Sequence, residues 1–247
     1  MRARVRSVLR ALDAVLRGDL RARDLVSPRA SVASSRVTRA LRERCGPVAT
    51  ILDVGANVGQ FALAATDRFP DALIHSFEPV PDVAATLQRN VKGVPAITVH
   101  RVALGTHGGS LRFHRNDFTH LSSPLPLDPE QGQLYGARAT EEITVPVHRL
   151  DQLFPTLGVS DPVLLKLDVQ GYESEVLAGA TGVLAQIAYV VLEVSFRPLY
   201  LGQPSFDRLH TQLKEHGYRL DGPVGLQEGR TGEIVELDLL YRRPPDS

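Results

Sequence analysis

Cysteine and long apolar runs are scarce in this chain, and each scarcity excludes something. Cys45 is the only cysteine among 247 residues, which excludes a disulfide framework within the chain and permits a reducing compartment. No run approaches the ~20 consecutive apolar residues that are needed to cross a bilayer. The N-terminus is basic but lacks the apolar core and cleavage site of a secretory signal. A cytoplasmic location is therefore the expectation.

Charge is balanced over the whole chain but unevenly distributed along it. The 28 basic and 28 acidic residues cancel, yet residues 1–44 hold twelve arginines against four acids. The remainder is therefore net acidic. Because binding to a phosphate backbone normally needs a basic surface, nucleic acid is not an expected partner of that remainder.

The basic N-terminal segment has apolar residues at helical spacing, from Val5 to Leu16. We favour a surface helix that packs its apolar stripe on the domain. The alternative is a peripheral contact with an anionic membrane. A Ser/Pro-containing break at 27–35 precedes a second short helix that is predicted to end near Arg44. The chain is thus predicted to divide into an N-terminal helical segment, 1–45, and a larger domain, 46–247.

From residue 49, apolar strands alternate with helices, which predicts an α/β fold with a doubly wound, mostly parallel, Rossmann-like sheet. The last strand-like run, "EIVELDLLY", is expected to return antiparallel along the edge. One region departs from the pattern, since 110–115 and 141–150 read as a β-hairpin. A loop of about 25 residues lies between them, and loops of that length are usually lids or disordered segments.

The turn "DVGANVG" follows the first strand, where ligands bind in parallel sheets. Gly55 allows a sharp turn, and Gly59 allows the next helix to approach the strand closely. Asn57 occupies the place of the second glycine of the dinucleotide fingerprint, where it would crowd a pyrophosphate. A nucleoside without phosphates tolerates this residue better, and S-adenosylmethionine is the ligand predicted.

Two carboxylates accompany this turn. Glu78, in "FEP" with Pro79, ends the second strand and is placed to accept hydrogen bonds from both ribose hydroxyls. Asp53 precedes the turn and is predicted to bond loop amides or the ammonium group of the ligand. Either acid alone has a simpler interpretation as a cap of the next helix. Since NAD enzymes use the same ribose acid, an NAD(P)-dependent oxidoreductase is the alternative function.

The stretch "VLLKLDVQGYESEVL" places Lys166 and Asp168 on one face of a strand. A lysine in an apolar strand is costly to bury unless it is paired, so Asp168 or Glu193 should neutralise it. Glu173 falls in the first turn of the following helix, where a negative charge is favoured.

These motifs resemble the FkbM family of S-adenosylmethionine-dependent methyltransferases. The resemblance runs through "DVGANVGQF", "FEPVPDVAATLQRNV", "VALG", "VHRLDQLF", "KLDVQGYE" and "YVVLEV", over roughly residues 48–220. It implies a class I methyltransferase fold with strand order 3-2-1-4-5-7-6. It also implies methyl transfer, mostly to oxygen, on sugars, glycolipids or polyketide-type products. Ala103 and Leu104 of "VALG" join the cofactor-binding residues on this basis.

The implied strand order brings Asp168 beside the glycine turn and Glu193 beside Asp168. We therefore expect Asp168 or Glu193 to be the base that deprotonates an acceptor hydroxyl, with Lys166 holding its orientation and charge. The alternative is a salt-bridged scaffold of Lys166, Asp168 and Glu173. A third interpretation is a non-catalytic cofactor-binding protein.

Metal, acceptor and assembly are less constrained by the sequence. Asp168 and Glu193 are oxygen ligands that suit Mg²⁺, while no His or Cys cluster indicates zinc, so no metal site is assigned. His120 and Ser122 of the long loop are nominated as near the acceptor, although a solvated loop histidine is the more common case. A homo-oligomer is left open.

Overall fold

The computed structural model describes residues 31–134, 140–228 and 232–244. The predicted N-terminal helix around Val5–Leu16 lies outside the described residues. The division at residue 45 consequently stays a prediction.

A seven-stranded sheet organises the described chain. Its strands are β1 (Thr50–Val54), β2 (Leu73–Phe77), β3 (Ile97–His100), β7 (Val163–Leu167), β8 (Tyr189–Ser195), β9 (Arg219–Glu228) and β10 (Ile234–Arg242). They lie in the order β3-β2-β1-β7-β8-β10-β9, which is the order implied by the family resemblance. Only β10 runs antiparallel to its neighbours, and the other pairings are parallel.

The edge of the sheet differs from the prediction in one respect. The sequence predicts that the last strand-like run lies along the edge, but Arg219–Glu228 forms the edge strand β9, and β10 lies inside it. Gly222, Pro223 and Gly225 hide the strand pattern, and an edge strand tolerates such residues because one side of its ladder faces no partner.

Helices cover both faces of the sheet. The helices are α1 (Val32–Cys45), α2 (Gln60–Arg68), α3 (Pro81–Asn90), α4 (Pro129–Leu134), α5 (Leu150–Leu153), α6 (Glu173–Gly179) and α7 (Phe206–Glu215). Ser31 caps α1 by accepting a hydrogen bond from the Ser34 amide, and α3 begins at Pro81, a residue that suits the first position of a helix. Gly179, the last residue of α6, packs against the backbone of Gly105, where no Cβ would fit.

The predicted hairpin is present as a second sheet. Strands β5 (Gly109–Asn116) and β6 (Thr140–His148) pair antiparallel, and β4 (Ala103–Leu104) pairs with β6 in parallel. Residues 117–134, which follow β5, return over the carboxyl end of the main sheet. Two bridges fix it there, His114 to Ser123 and Leu127 to Tyr200.

The core lies on both faces of the central strands. Every residue of β1 and β7 is buried, as expected for parallel strands with helices on both sides. Asp53 and Lys166 are therefore the exceptions that need partners. Within the described residues, no helix has both the length and the apolar character to span a bilayer.

Candidate functional site

A cavity of about 310 Å³ opens at the carboxyl ends of β1, β2, β7 and β8. One wall is apolar, another carries carboxylates, and the segment after β5 closes the top. Its lining includes Gly55, Asn57, Phe77, Glu78, Pro79, Ala103, Leu104, Thr119, His120, Ser122, Asp168, Gln170, Tyr172, Glu193 and Glu236. Most of the predicted site residues meet in this one place.

The glycine turn is shaped by close contacts. Gly55 has φ +78°, and a Cβ there would collide with the carbonyl oxygen of Asp168. Only glycine lets the loops that follow β1 and β7 touch. Gly59 has φ +91°, and its close neighbour is Leu87 of α3 rather than the strand that the sequence suggested.

Asn57 connects the turn to two other parts of the site. It has a left-handed backbone at φ +46°, and its amide donates a hydrogen bond of 2.9 Å to Glu78 Oε2. Its side-chain oxygen accepts from the Thr119 hydroxyl at 3.1 Å. Asn57 thereby holds the segment after β5 against the turn, a role that the sequence did not reveal.

Glu78 is a buried carboxylate on the cavity wall. It accepts from the amides of Asn57 and Val80, both at 2.9 Å. Burial raises the pKa of Glu78 to about 7, and the two amide bonds oppose that rise. Each carboxylate oxygen keeps a further lone pair, which leaves Glu78 able to accept from a ligand.

The surroundings of Glu78 match the chemistry of an adenosine. Phe77, Pro79, Ala103 and Leu104 give a flat apolar surface next to this carboxylate. A purine base needs such a surface, and the two ribose hydroxyls need an acceptor beside it. The residues present therefore fit S-adenosylmethionine.

Asp53 lies behind the cavity wall and not on it. Its side chain is fully buried, 3.1 Å from the ammonium group of Lys166, and it accepts from the Ser76 hydroxyl at 3.3 Å. The sequence predicts that this carboxylate bonds loop amides or the ligand's ammonium group, whereas in the structure it pairs with Lys166. The two residues are register partners in β1 and β7, which is the signal that could have revealed the pair.

Lys166 is held by several acceptors. Besides Asp53, its Nζ lies 3.4 Å from Asp168 Oδ2, donates to the Gly55 carbonyl at 3.0 Å and sits 5.4 Å from the centre of the Phe61 ring. Burial alone would lower the pKa of Lys166, but the carboxylates of Asp53 and Asp168 hold it above its ordinary value. Lys166 is thus a fixed cation beneath the catalytic candidates.

Asp168 and Glu193 come together through a residue that the sequence analysis passed over. The side-chain amide of Gln170 donates to Asp168 Oδ1 at 2.9 Å and to Glu193 Oε2 at 3.1 Å. Burial raises the pKa of Glu193 well above its usual range, and the charges of Asp168 and Glu236 raise it further. A carboxyl of this kind suits a base that works near neutral pH.

Two further acids reach the site from β10. Asp238 is the register partner of Glu193, and Glu236 lines the cavity. Burial raises the pKa of Asp238 to about 6. Neither was nominated from the sequence, because the position of β10 beside β8 sets their proximity.

Glu173 has a local structural role. Its Oε1 accepts from the amides of Val169 and Gly171 at 3.1 and 3.3 Å, and it makes no ion pair with Lys166. The alternative scaffold is therefore present only in part, as the contact between Lys166 and Asp168. Burial raises the pKa of Glu173 to about 7.

The two residues nominated near the acceptor both line the cavity. His120 is exposed beside the Phe118 ring, whereas the hydroxyl of Ser122 is buried and accepts from the Asn116 amide at 3.0 Å. Ser122 consequently also shapes its own segment. Among residues 31–134, 140–228 and 232–244, no group of three His, Cys, Asp or Glu side chains is arranged to hold a metal ion.

The order of this sheet, with a carboxylate at the end of β2 that can bind a ribose, is the one that the resemblance to class I S-adenosylmethionine-dependent methyltransferases implies. The family model "Methyltransferase FkbM domain" matches residues 53–220, which is more than half of the chain. The chain belongs to the FkbM methyltransferase family and is an S-adenosylmethionine-dependent methyltransferase. The alternative of an NAD(P)-dependent oxidoreductase is therefore wrong.

Curated relatives carry methyltransferase names. The chain is 30% identical to 2-O-methyltransferase NoeI of Sinorhizobium fredii, over 71% of this chain and 74% of that one. It is 32% identical to 31-O-demethyl-FK506 methyltransferase FkbM of Streptomyces tacrolimicus, over 60% and 66%. Hexuronic acid methyltransferase AglP of Haloferax volcanii is 27% identical, over 64% and 61%.

A solved structure shares the fold. Magnesium protoporphyrin IX methyltransferase from Synechocystis, solved with bound SAM, superposes with a TM-score of 0.50 over 86% of this chain and 78% of that one. At 14% identity the likeness shows the fold alone.

Proposed function

We propose that this protein methylates a hydroxyl oxygen of a sugar, glycolipid or polyketide-type acceptor. The observation that carries the proposal is one cavity that joins a nucleoside-type wall around Glu78 to the carboxylate pair of Asp168 and Glu193. The relatives named for O-methylation and for methylation of a hexuronic acid support this acceptor class.

The cofactor half of the cavity uses residues at the ends of β1, β2 and β4. Gly55 and Asn57 shape the turn, Glu78 binds the ribose hydroxyls, and Ala103 and Leu104 with Pro79 hold the base. S-adenosylmethionine supplies the methyl group when it is bound there. Asp53 and Gly59 act from behind this wall, through Lys166 and through α3.

The acceptor half is formed by the carboxylate pair and the segment after β5. An alcohol is weakly acidic, so its proton must leave as the oxygen attacks. The pair of Asp168 and Glu193 accepts that proton, and Lys166 stabilises the charge of Asp168 at 3.4 Å. His120 and Thr119, on the covering segment, line the cavity where the acceptor is proposed to bind.

Removal of one carboxylate tests the assignment. Asp168→Asn and Glu193→Gln keep the shape of each side chain but remove its ability to take a proton. We expect turnover to fall by roughly 10²–10⁴ in at least one variant, as is typical when a general base is lost. Affinity for S-adenosylhomocysteine, measured by isothermal titration, should change little. Normal turnover in both variants would show that the pair is not the base.

Four finer proposals concern surroundings of the site. Mg²⁺ stays a candidate cofactor with no assigned ligands, and unchanged turnover after exhaustive treatment with EDTA would remove it. For the basic segment 1–27, packing on the domain is favoured and contact with anionic membranes is the alternative, which a deletion variant and a liposome sedimentation assay would test. A homo-oligomer and a cytoplasmic location are two further proposals. Light scattering tests the first, and cell fractionation tests the second.

A further inference from the structure

Gln170 has an unusual backbone in the loop between β7 and α6. Its φ is +55°, a left-handed conformation that non-glycine residues rarely adopt. Such conformations persist only where the surroundings impose them, and they concentrate at functional sites. This backbone turns the side chain of Gln170 into the cavity described above.

Both the nitrogen and the oxygen of the Gln170 side-chain amide make hydrogen bonds. Its nitrogen donates one hydrogen bond to Asp168 Oδ1 at 2.9 Å and another to Glu193 Oε2 at 3.1 Å. Its oxygen accepts from the hydroxyl of Tyr200 at 2.9 Å. The amide nitrogen faces the two carboxyls and the amide oxygen faces the Tyr200 hydroxyl, so one orientation of the amide serves all three partners.

The backbone of Gln170 is also tied to the segment that covers the cavity. Its carbonyl accepts from the Ser123 hydroxyl at 2.7 Å, and Ser123 pairs with His114 through the backbone. Gln170 thus links the covering segment, the carboxylate pair and the loop after β8.

The pair that Gln170 bridges is surrounded mostly by acids. Two carboxylates close together resist ionising at the same time and tend to share a proton, which would reduce their capacity to accept another. A donor that serves both oxygens at once favours the ionised form of each. The charged and titratable groups that face the pair are Lys166 from β7, Asp53 from β1, Glu173 from α6, Glu236 and Asp238 from β10, and Tyr200 after β8.

We propose that Gln170 is a positioning residue that bridges Asp168 and Glu193, fixes the orientation of both carboxyls and keeps both ready to accept a proton. The inference rests on the proposed function of the pair as base. Gln170 does not itself take the proton, and no other donor contacts both carboxylates among the described residues.

The test is a carboxyl titration that needs no acceptor. In protein labelled with ¹³C at Asp and Glu, saturated with S-adenosylhomocysteine, NMR follows the side-chain carboxyls of residues 168 and 193, assigned with Asp168→Asn and Glu193→Gln. Gln170→Met keeps the volume and removes the three side-chain bonds. We expect the midpoint of the pair to rise by about one pH unit or more, because a hydrogen bond to a charged group is lost.

Two further variants complete the experiment. Gln212→Met is the matched control, since Gln212 bonds only Ser174 away from the cavity, and its titration should equal that of the wild type. Gln170→Asn, which tolerates a left-handed backbone but is too short to bridge, should reproduce the rise if Gln170→Met does not fold.

Coincident titrations of the wild type and the Gln170 variants would overturn the inference. That result is distinct from failure of the proposed function, which is decided by the turnover of Asp168→Asn and Glu193→Gln. If those two variants are fully active, the pair is not the base, and the role of Gln170 falls with it.

Discussion

At the scale of single residues, Lys166 and Asp53 form the contact on which the site rests. Both are buried, at 8% and 0% exposure, and each is the main partner of the other. A buried ion pair gains little net stability, but the loss of one member leaves the other charge uncompensated. Burial already raises the pKa of Asp53, and Lys166 is the main group that opposes the rise.

Removal of the lysine should therefore be costly, and removal of both charges less so. We expect Lys166→Met to lower the free energy of unfolding by about 3–5 kcal/mol. Addition of Asp53→Asn should recover a large part of the lost free energy of unfolding, since no unpaired charge is then buried at position 53. Guanidinium denaturation of the single and double variants measures the coupling.

A matched control is available on α7. Lys214 is exposed, so Lys214→Met should change stability by less than about 0.5 kcal/mol. Additive effects of Lys166→Met and Asp53→Asn would contradict the account of the pair.

Residue types were predictable at the site, but their partners were not. The sequence indicates the turn that contains Gly55 and Asn57, and it also indicates the acid Glu78. Each of these features follows a predicted strand at a fixed spacing. The partner of Asp53 depends on the register between β1 and β7, which are over a hundred residues apart in the chain. No feature of the sequence identified Gln170 as a site residue, because its role depends on a left-handed backbone conformation that only the structure shows.

At the scale of elements, the turn from β7 into α6 depends on one buried acid. Glu173 is 2% exposed and accepts both the Val169 and the Gly171 amide with the same oxygen. Its pKa is about 7 in the folded protein against an ordinary value of 4.5, chiefly because of burial. The folded state therefore holds a proton that the unfolded chain releases.

This difference predicts a pH dependence of stability. The contribution of protonated Glu173 to the free energy of unfolding is fully present below about pH 4.5 and is lost as the pH rises through about 7. Glu173→Gln keeps the accepting oxygen and has no such proton to lose. Relative to the wild type, the variant should gain stability between pH 5 and pH 8, on the order of 3 kcal/mol.

Urea denaturation across this pH range measures the gain. A free-energy difference between Glu173→Gln and the wild type that stays constant from pH 5 to pH 8 would show that Glu173 is ionised throughout, contrary to this account.

Elements were predictable where the local pattern agreed with the fold. Apolar runs between helices identify β1, β2, β7 and β8, and the pairing of 110–115 with 141–150 appears as the hairpin of β5 and β6. Strand β9 was missed because its glycines and proline contradict strand propensity, and its pairing with β10 overrides them.

At the scale of the whole molecule, the acidic lining of the cavity is the feature that an acceptor would meet. In the described part of the chain, its lining includes four carboxyl groups, namely those of Glu78, Asp168, Glu193 and Glu236, and neither lysine nor arginine. Burial raises the pKa of Glu78, Glu193 and Glu236, so these groups can hold a proton closer to neutral pH than an exposed glutamate. The account therefore expects an acceptor that offers hydroxyl groups to this lining.

The central claim is methyl transfer to a hydroxyl oxygen, and one measurement tests it directly. Extracts incubated with the enzyme and deuteromethyl-labelled S-adenosylmethionine are analysed by mass spectrometry, and the labelled product by NMR. The account predicts a product in which one hydroxyl hydrogen is replaced by a CD₃ group, absent when the extract is incubated without enzyme. A label on nitrogen, carbon or sulfur would contradict it.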